Sequence, residues 1–294
     1  MADWTGVAGR RVLMTGATGG IGLAAAMELA KRGAELAIVA RDEGRAKAAV
    51  AAIAAAGPAS GPVDVLSADL ASLASVKALA EQALQRYRRI DLLINNAGAV
   101  FSSRQLTGEG LERTWTLNHL APFLLTSLLL DRLRASAPAR VITTASDAHK
   151  GMKIPFDDLD AARSYRMNGF VRYGQTKLAN ILFTAELARR TQDSGVSAYC
   201  FHPGVVASGF NRNNGSVMGT LMLAIKPFSR SVERGAQTLV WLADTPNPGI
   251  PGGYYVDEKP RSPSGAALDL QTAERLWTVS EEQVSRALGT PAGA

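Results

Sequence analysis

The sequence predicts an α/β fold: a doubly wound parallel sheet of about seven strands with helices on both faces, in one domain over residues 1–294. Short apolar runs alternate with longer stretches of helical character along the chain. The short runs are apolar throughout, which is typical of parallel strands that are covered on both faces. No stretch is rich enough in Pro, Gly or Ser to divide the chain, so we expect a single domain.

The first βα unit begins with an apolar run at residues 11–14. This run breaks into a Gly-rich turn and then an Ala-rich stretch at 21–32, which ends at Gly33. The same alternation predicts further strands at 35–39, 63–66, 90–94, 140–143 and 196–201. Further helices are predicted at 45–56, 73–88, 111–133 and 173–190. Right-handed crossovers between parallel strands then produce the doubly wound arrangement.

Two insertions, residues 150–171 and 208–231, interrupt this regular pattern. In open α/β sheets the ligand lies beyond the carboxyl ends of the strands. Both insertions follow a strand, so we expect both on the ligand side of the sheet. The second is expected to form a substrate lid, because Met218, Leu221, Met222 and Ile225 fall at helical spacing. That apolar stripe either packs on the core or forms a wall for a lipophilic substrate.

Composition and charge narrow the possible partners. Apolar residues make up 47% of the 294 and charged residues 20%, as in a globular protein with a core. The net charge of +6 is scattered, which favours a solvated basic surface over nucleic-acid binding. The single cysteine allows no internal disulfide, and the N-terminus has no signal-peptide pattern. The apolar stretch 120–130 is too short to span a membrane and 217–228 is interrupted by Lys226, so a cytoplasmic protein is expected.

The turn after the first strand has the spacing Gly-x-x-x-Gly-x-Gly, formed by Gly16, Gly20 and Gly22. These glycines allow a sharp turn and a close approach of backbone to a pyrophosphate, which the following helix N-terminus can bind. The turn lacks the Lys-Ser/Thr pair of triphosphate-binding loops, which argues against an ATPase or GTPase. The pattern predicts a Rossmann-like nucleotide site whose first contacts are Gly16, Thr18, Gly19, Gly20 and Ile21.

The residues after the second strand distinguish between the two nicotinamide cofactors. A carboxylate there would bind the ribose 2′-hydroxyl of NAD(H), whereas an arginine accommodates the 2′-phosphate of NADP(H). The strand ends in Ala40 and Arg41, so NADP(H) is favoured over NAD(H). Asp42 is expected to point away or to cap the next helix, and Asp69 after the third strand is a candidate contact for the adenine.

Several further motifs follow successive strands in order. They are Asn95-Asn96-Ala97-Gly98, Asn118, Ser146, the pair Tyr173 and Lys177, and His202-Pro203-Gly204-Val205. This set resembles the short-chain dehydrogenase/reductase family over roughly residues 10–257. The resemblance implies that Asn118, Ser146, Tyr173 and Lys177 are catalytic. It also implies cofactor contacts at Leu70, Asn96, Ala97, Gly98, Tyr173, Lys177, Pro203, Gly204 and Val206.

The chemistry of hydride transfer explains these residue types. Reduction of a carbonyl leaves an alkoxide that needs a proton, and the reverse reaction needs a base. Tyrosine has an ordinary pKa near 10 and is a poor base unless its anion is favoured. Lys177 lies one helical turn after Tyr173, where its charge is expected to lower the tyrosine pKa and its ammonium to bind ribose hydroxyls. Ser146 is expected to hydrogen-bond the substrate oxygen, and the resemblance implies that Asn118 holds a water that passes protons to Lys177.

The three histidines, His119, His149 and His202, are far apart and lack ligand-like spacing, so no metal site is expected. His149 and His202 follow strands. Either they approach the substrate or they hydrogen-bond the backbone, and the second interpretation is favoured.

A finer resemblance is to the retinol dehydrogenase-like branch, which includes the WW-domain oxidoreductases and protochlorophyllide reductases. Four features carry it: Arg41-Asp42, the 145–149 segment with the insertion at 153–159, the 177–183 stretch, and Leu276-Trp277. We expect no N-terminal membrane anchor of the kind that many animal members carry, and residue 19 is glycine where many relatives carry another residue.

The expected activity is an NADP(H)-dependent oxidoreductase for a lipophilic ketone, aldehyde or alcohol. The family implies a homodimer or homotetramer through the helices at 111–133 and 173–190. Two alternatives stay open: reduction of a carbon–carbon double bond, and a non-catalytic NADP-binding sensor or scaffold. An epimerase or dehydratase is disfavoured because only about 40 residues follow Asp257, too few for the larger substrate domain of such enzymes.

Overall fold

A computed structural model of the protein describes residues 3–57, 61–206 and 229–289. Its strands are β1 Arg11–Thr15, β2 Glu35–Ala40, β3 Asp64–Ser67, β4 Leu92–Asn95, β5 Ala139–Thr144, β6 Val196–His202, β7 Tyr254–Val256 and β8 Lys259–Arg261. Its helices are α1 Gly20–Lys31, α2 Glu43–Ala55, α3 Leu73–Arg86, α4 Arg113–Trp115, α5 Ala121–Ala135, α6 Phe170–Arg190, α7 Val232–Asp244 and α8 Leu270–Leu288.

The strands form one sheet in the order β3-β2-β1-β4-β5-β6-β7-β8. The chain starts in the middle at β1, winds outward to β3, and then returns to build the other half from β4. β1 to β7 run parallel, whereas β8 pairs antiparallel with β7. The predicted α/β doubly wound sheet is confirmed, with one antiparallel edge strand in addition to the parallel ones.

Side chains alternate between the two faces of the sheet and build two core layers. Leu13, Leu93 and Val141 pack in the layer that contains α3, α5, α6 and α8. Val12 and Met14 pack on the opposite face in the layer of α1, α2 and α7. The continuous apolar runs of the sequence therefore reflect strands that are buried on both sides.

The long helix predicted at 111–133 is interrupted in the structure. α4 is followed by a π-helical turn, Thr116–Leu120, before α5 begins, and the backbone N–H of Ala121 bonds back to the carbonyl of Thr116. A π turn adds one residue to a helical turn and is frequent at functional sites. Here it carries Asn118, so the irregularity lies at one of the predicted catalytic residues.

The insertion 150–171 lies at the carboxyl edge of the sheet, as expected. It ends in a 3-10 turn, Met167–Gly169, directly before α6, and both Met167 and Asn168 have positive φ. The predicted lid at 208–231 falls outside the described residues except for 229–231.

Candidate active site

The Gly-rich turn after β1 is built for a close backbone approach. Gly16 has φ +70°, and a Cβ there would lie 2.7 Å from the backbone nitrogen of Ala97. A Cβ at Gly22 would collide with the carbonyl oxygen of Gly16. α1 starts at Gly20 with no side-chain cap and no acidic residue in its first turn. Its free N–H groups and positive end can therefore bind an anion, so the turn fits the pyrophosphate of a dinucleotide.

The Asn96-Ala97-Gly98 segment after β4 holds this turn in place by hydrogen bonds. The N–H groups of Asn96 and Ala97 both donate to Thr15 Oγ1 at 3.1 Å. Asn96 Nδ2 donates to the Gly16 carbonyl at 3.2 Å, and Thr144 Oγ1 donates to Asn96 Oδ1 at 3.0 Å. The side chain of Asn96 thus ties the turn to β5, and its predicted place beside the cofactor site is consistent with this geometry.

Arg41 and Asp69 face each other after β2 and β3. Arg41 Nη1 lies 3.5 Å from Asp69 Oδ2, and the two side chains are 65% and 43% exposed. Leu70, also expected at the cofactor, follows Asp69 and is partly buried. Asp42 caps α2 by accepting from the Arg45 N–H at 2.7 Å, which is one of its two expected roles. The exposed guanidinium of Arg41 is therefore one group here that can bind a phosphate.

Arg45 is a candidate functional residue that the sequence reasoning missed. A Cβ placed on Gly19 would lie 3.4 Å from Arg45 Nη2, so this guanidinium lies over the Gly-rich turn. A second arginine thus borders the Gly-rich turn. The signal in the sequence that could have indicated Arg45 was Gly19, because a residue without a side chain leaves room above the turn for a guanidinium.

The four predicted catalytic residues come together at the carboxyl edge of the sheet. Tyr173 and Lys177 lie one turn apart on α6, and the Tyr173 hydroxyl hydrogen-bonds the side chain of Ser146 after β5. Lys177 is buried, and its Nζ donates to the Thr144 carbonyl at 2.7 Å. Nζ lies 5.5 Å from the centroid of the Tyr173 ring.

Asn118 makes three hydrogen bonds from the π turn. Its Nδ2 donates to the Ala99 carbonyl at 2.9 Å and to Thr176 Oγ1 at 3.1 Å, and its Oδ1 accepts from the Ala99 N–H at 2.9 Å. A Cβ on Gly98 would lie 3.3 Å from Asn118 Oδ1 and 3.6 Å from Lys177 Nζ. Gly98 therefore leaves a narrow space that both Asn118 and Lys177 border.

Burial dominates the electrostatics of this cluster. Removal from water raises the pKa of Tyr173 to about 12, while the hydrogen bond with Ser146 acts in the opposite direction. Burial likewise lowers the pKa of Lys177 to about 7. The Lys177 ammonium donates to the Thr144 carbonyl, and the expected lowering of the Tyr173 pKa by Lys177 stays a prediction.

The loop after β6 closes the site on one side. Gly204 has φ +84°, and a Cβ there would lie 2.6 Å from Arg230 Cδ. Arg230 forms an ion pair with Asp257, Nη2 to Oδ2 3.0 Å, and Val206 forms a β-bridge with Arg230. Pro203 and Gly204 are thereby held at the carboxyl edge, where the sequence places them beside the cofactor.

Two features are absent from residues 3–57, 61–206 and 229–289. No group of three or more His, Cys, Asp or Glu side chains in this part of the chain could hold a metal ion. No helix within the described ranges is long and apolar enough to cross a membrane.

Comparison with known proteins defines the class. The family model of the short chain dehydrogenases matches residues 10–157. The chain belongs to the short-chain dehydrogenase family. Its retinol dehydrogenase-like character is also confirmed, since it is 43% identical to retinol dehydrogenase 12 from Mus musculus over 278 residues, 94% of this chain and 86% of the relative. These matches support an oxidoreductase that acts on alcohol or carbonyl groups.

A bacterial relative and two solved structures extend the comparison. A protein of Streptomyces sp. (strain C5), named as a daunorubicin C-13 ketoreductase, is 43% identical over 281 residues, 95% of this chain and 94% of the relative. The structure of an uncharacterized protein from Mycobacterium Paratuberculosis matches 100% of both chains with a TM-score of 0.76 and 31% identity. The NADP active-site complex of RhlG from Pseudomonas aeruginosa matches 91% of this chain and 100% of that chain, with a TM-score of 0.68 and 26% identity.

Proposed function

We propose that this protein is an NADP(H)-dependent oxidoreductase that interconverts a lipophilic ketone or aldehyde and the corresponding alcohol. The observation that carries the proposal is the hydrogen bond between the Tyr173 hydroxyl and Ser146, with Lys177 one turn away on α6. The dinucleotide, when bound, supplies or accepts the hydride. The Gly-rich turn and the N-terminus of α1 would hold its pyrophosphate.

Tyr173 and Ser146 define where the substrate oxygen is placed. An oxygen that accepts hydrogen bonds from both hydroxyls lies next to the proton of Tyr173. Because burial raises the pKa of Tyr173 to about 12, the phenol is protonated at neutral pH. It is therefore in the form that donates a proton to a reduced carbonyl.

Lys177 and Asn118 are assigned to the return of that proton. Both N–H bonds of the Asn118 amide are used within the protein, so a water could bind its side chain only by donating to Oδ1. Oδ1 and Lys177 Nζ border the same space beside Gly98. With its pKa lowered to about 7, Lys177 can both release and accept a proton near neutral pH.

The preference for a lipophilic substrate rests on exposed apolar side chains on the segments that carry the site. The ring of Phe170 lies 6.1 Å from that of Tyr173. Phe170 is 43% exposed, Met167 71% and Val205 53%, although each is large and apolar. Exposed apolar groups next to a catalytic cluster favour an apolar ligand. The named activities of the retinol dehydrogenase and ketoreductase relatives point to the same class of substrate.

The preference for NADP(H) is expected to depend on Arg41 and Arg45. Replacing either by alanine should raise the KM for NADPH by about 10–100-fold and leave the KM for NADH nearly unchanged, because one charge-assisted bond to the 2′-phosphate is lost. Steady-state kinetics with both cofactors would measure this. Lys47→Ala is the matched control, since Lys47 lies on α2, is exposed, and pairs with Glu43 at 2.7 Å. Equal effects of an arginine variant on NADPH and NADH would contradict the assignment.

The function itself is tested by following consumption of NADPH and NADH against a panel of lipophilic aldehydes and ketones. Turnover with NADPH and formation of the alcohol would support the proposal. Reduction of activated alkenes without reduction of carbonyls would instead favour the double-bond reductase. Binding of NADPH without turnover in either direction would favour the sensor. The homodimer or homotetramer and the cytoplasmic location expected from the sequence remain predictions.

A further inference from the structure

His149 hydrogen-bonds two main-chain groups, one at Ser146 and one at Ser264. It lies in the 3-10 turn Asp147–His149, and its side chain is fully buried. Its Nδ1 lies 2.7 Å from the Ser146 carbonyl oxygen, and the Ser264 N–H donates to its Nε2 at 3.0 Å. A backbone amide can only donate, so Nε2 must be the unprotonated nitrogen. The proton of neutral His149 is therefore on Nδ1 and is donated to Ser146.

His202 contacts the same segment from the end of β6, in the opposite tautomer. The Asp147 N–H donates to His202 Nδ1 at 3.3 Å. By the same argument Nδ1 is the acceptor, and the proton of neutral His202 is on Nε2. The peptide group between Ser146 and Asp147 thus has its carbonyl bonded by one histidine and its N–H bonded by the other.

The groups around the two rings favour the neutral forms. Burial lowers the pKa of both histidines. Lys150 opposes protonation of both rings, and Arg230 and His149 also oppose protonation of His202. The Asp147 carboxylate favours protonation of both rings, and Asp257, which is paired with Arg230, also interacts with His202. The Asp147 carboxylate already accepts two hydrogen bonds, from the Tyr254 hydroxyl and from Lys150 Nζ, at 2.8 Å each. The Tyr254 ring lies edge-on to His149, with centroids 5.3 Å apart.

We propose that His149 and His202 are positioning residues that hold the main chain at Ser146, each as the neutral imidazole in one specific tautomer. Protonation of His149 would direct Nε2–H against the Ser264 N–H, and protonation of His202 would direct Nδ1–H against the Asp147 N–H. Either event breaks a hydrogen bond of the segment that carries Ser146. The consequence for turnover rests on the proposed function, whereas the tautomers do not depend on it.

The effect of pH follows from the direction of these pKa values. An unfolded chain protonates histidine near pH 6.5, and the folded protein does so only at lower pH. The contribution of the neutral rings to stability is therefore present above about pH 6.5 and is lost as the pH falls below that value. The hydrogen bonds that hold the main chain at Ser146 are expected to break at still lower pH, as the pH falls through the folded-state pKa values of the two histidines.

Nitrogen NMR of the full chain with 15N-labelled histidine tests the tautomers directly. The protein has only three histidines. His119 gives the third signal, and its Nε2 lies 2.8 Å from Ser280 Oγ, whose proton is donated to the Leu276 carbonyl. His149→Asn and His202→Asn assign the other signals. We expect Nδ1–H for His149 and Nε2–H for His202, both neutral at pH 6.5. A half-protonated ring at that pH, or the reverse tautomer for either residue, would overturn the proposal.

Kinetics of two His202 variants test the link to Ser146. His202→Asn keeps an acceptor near the Nδ1 position but cannot take a proton, so it should retain most of kcat at pH 8. Because His149 still titrates in that variant, the acid limb is expected to move to lower pH in the double variant His149→Asn with His202→Asn. His202→Leu removes the acceptor and should lower kcat about tenfold, with the Kd for NADPH within about twofold. An unmoved acid limb in the double variant, or a Leu variant equal to the parent, would contradict a positioning role. A parent protein without any turnover would count against the proposed function, and the NMR result would still decide the tautomers.

Discussion

Tyr173→Phe is expected to lower kcat by about 10²–10⁴-fold, the usual contribution of a positioned general acid or base. The variant keeps the aromatic ring and removes only the hydroxyl that bonds Ser146. Because that hydroxyl is protonated at neutral pH, its loss removes the proton donor for the substrate oxygen. The Kd for NADPH should change by less than about tenfold, since one hydrogen bond contributes about 0.5–1.5 kcal/mol.

Tyr87→Phe is the matched control. The Tyr87 hydroxyl also makes one side-chain hydrogen bond, to Asp64 Oδ2 at 2.9 Å, but Asp64 lies at the start of β3 on the opposite edge of the sheet. Stopped-flow single turnovers and fluorescence titration of NADPH would separate chemistry from binding. A Tyr173→Phe variant that turns over at the rate of Tyr87→Phe would exclude the phenol as proton donor.

Arg172→Met is expected to reduce the free energy of unfolding by about 3–5 kcal/mol, as when one partner of a buried ion pair is removed. Arg172 Nε lies 2.8 Å from Glu112 Oε2, and the two side chains are 2% and 0% exposed. Glu112 also caps α4 by accepting from the N–H groups of Thr114 and Trp115. The guanidinium stacks on the Trp115 ring at 4.6 Å and donates to the Leu159 carbonyl. This pair therefore joins the helix of Tyr173 to the segment that leads into Asn118.

Urea unfolding of a double-mutant cycle would measure this coupling. Glu112→Gln with Arg172→Met should be less destabilised than the sum of the single variants, because no uncompensated charge remains buried. Arg163→Met is the control for an exposed pair: Arg163 and Asp157 lie 2.5 Å apart and are 69% and 72% exposed, so little or no loss of stability is expected. If Arg172→Met were no more destabilising than Arg163→Met, the buried pair would not be a structural requirement of the site.

The predicted helix boundaries differ from the observed ones at α3 and around Asn118. The prediction for α3 ended at residue 88, whereas the helix ends at Arg86 and is followed by Tyr87 in extended conformation. The prediction at 111–133 missed the π turn around Asn118. Inserting one residue shifts the phase of the helical hydrophobic pattern by about 100°, but in a stretch that is apolar at most positions this shift leaves no clear signal.

The amino-acid sequence alone determined the alternation of strands and helices and the parallel sheet. It also determined which site motif follows each strand at the carboxyl edge of the sheet. These features depend on local patterns: apolar runs that must be buried, glycines that a turn requires, and a tyrosine and lysine one helical turn apart. Only the tertiary structure decided that Arg45 lies over Gly19, that Lys177 bonds Thr144, and that Glu112 and Arg172 form a buried pair. It also decided the tautomers of His149 and His202. Each of these features depends on contacts between residues that are distant in sequence and on how completely folding buries the group. A local sequence pattern encodes neither the distant contacts nor the burial.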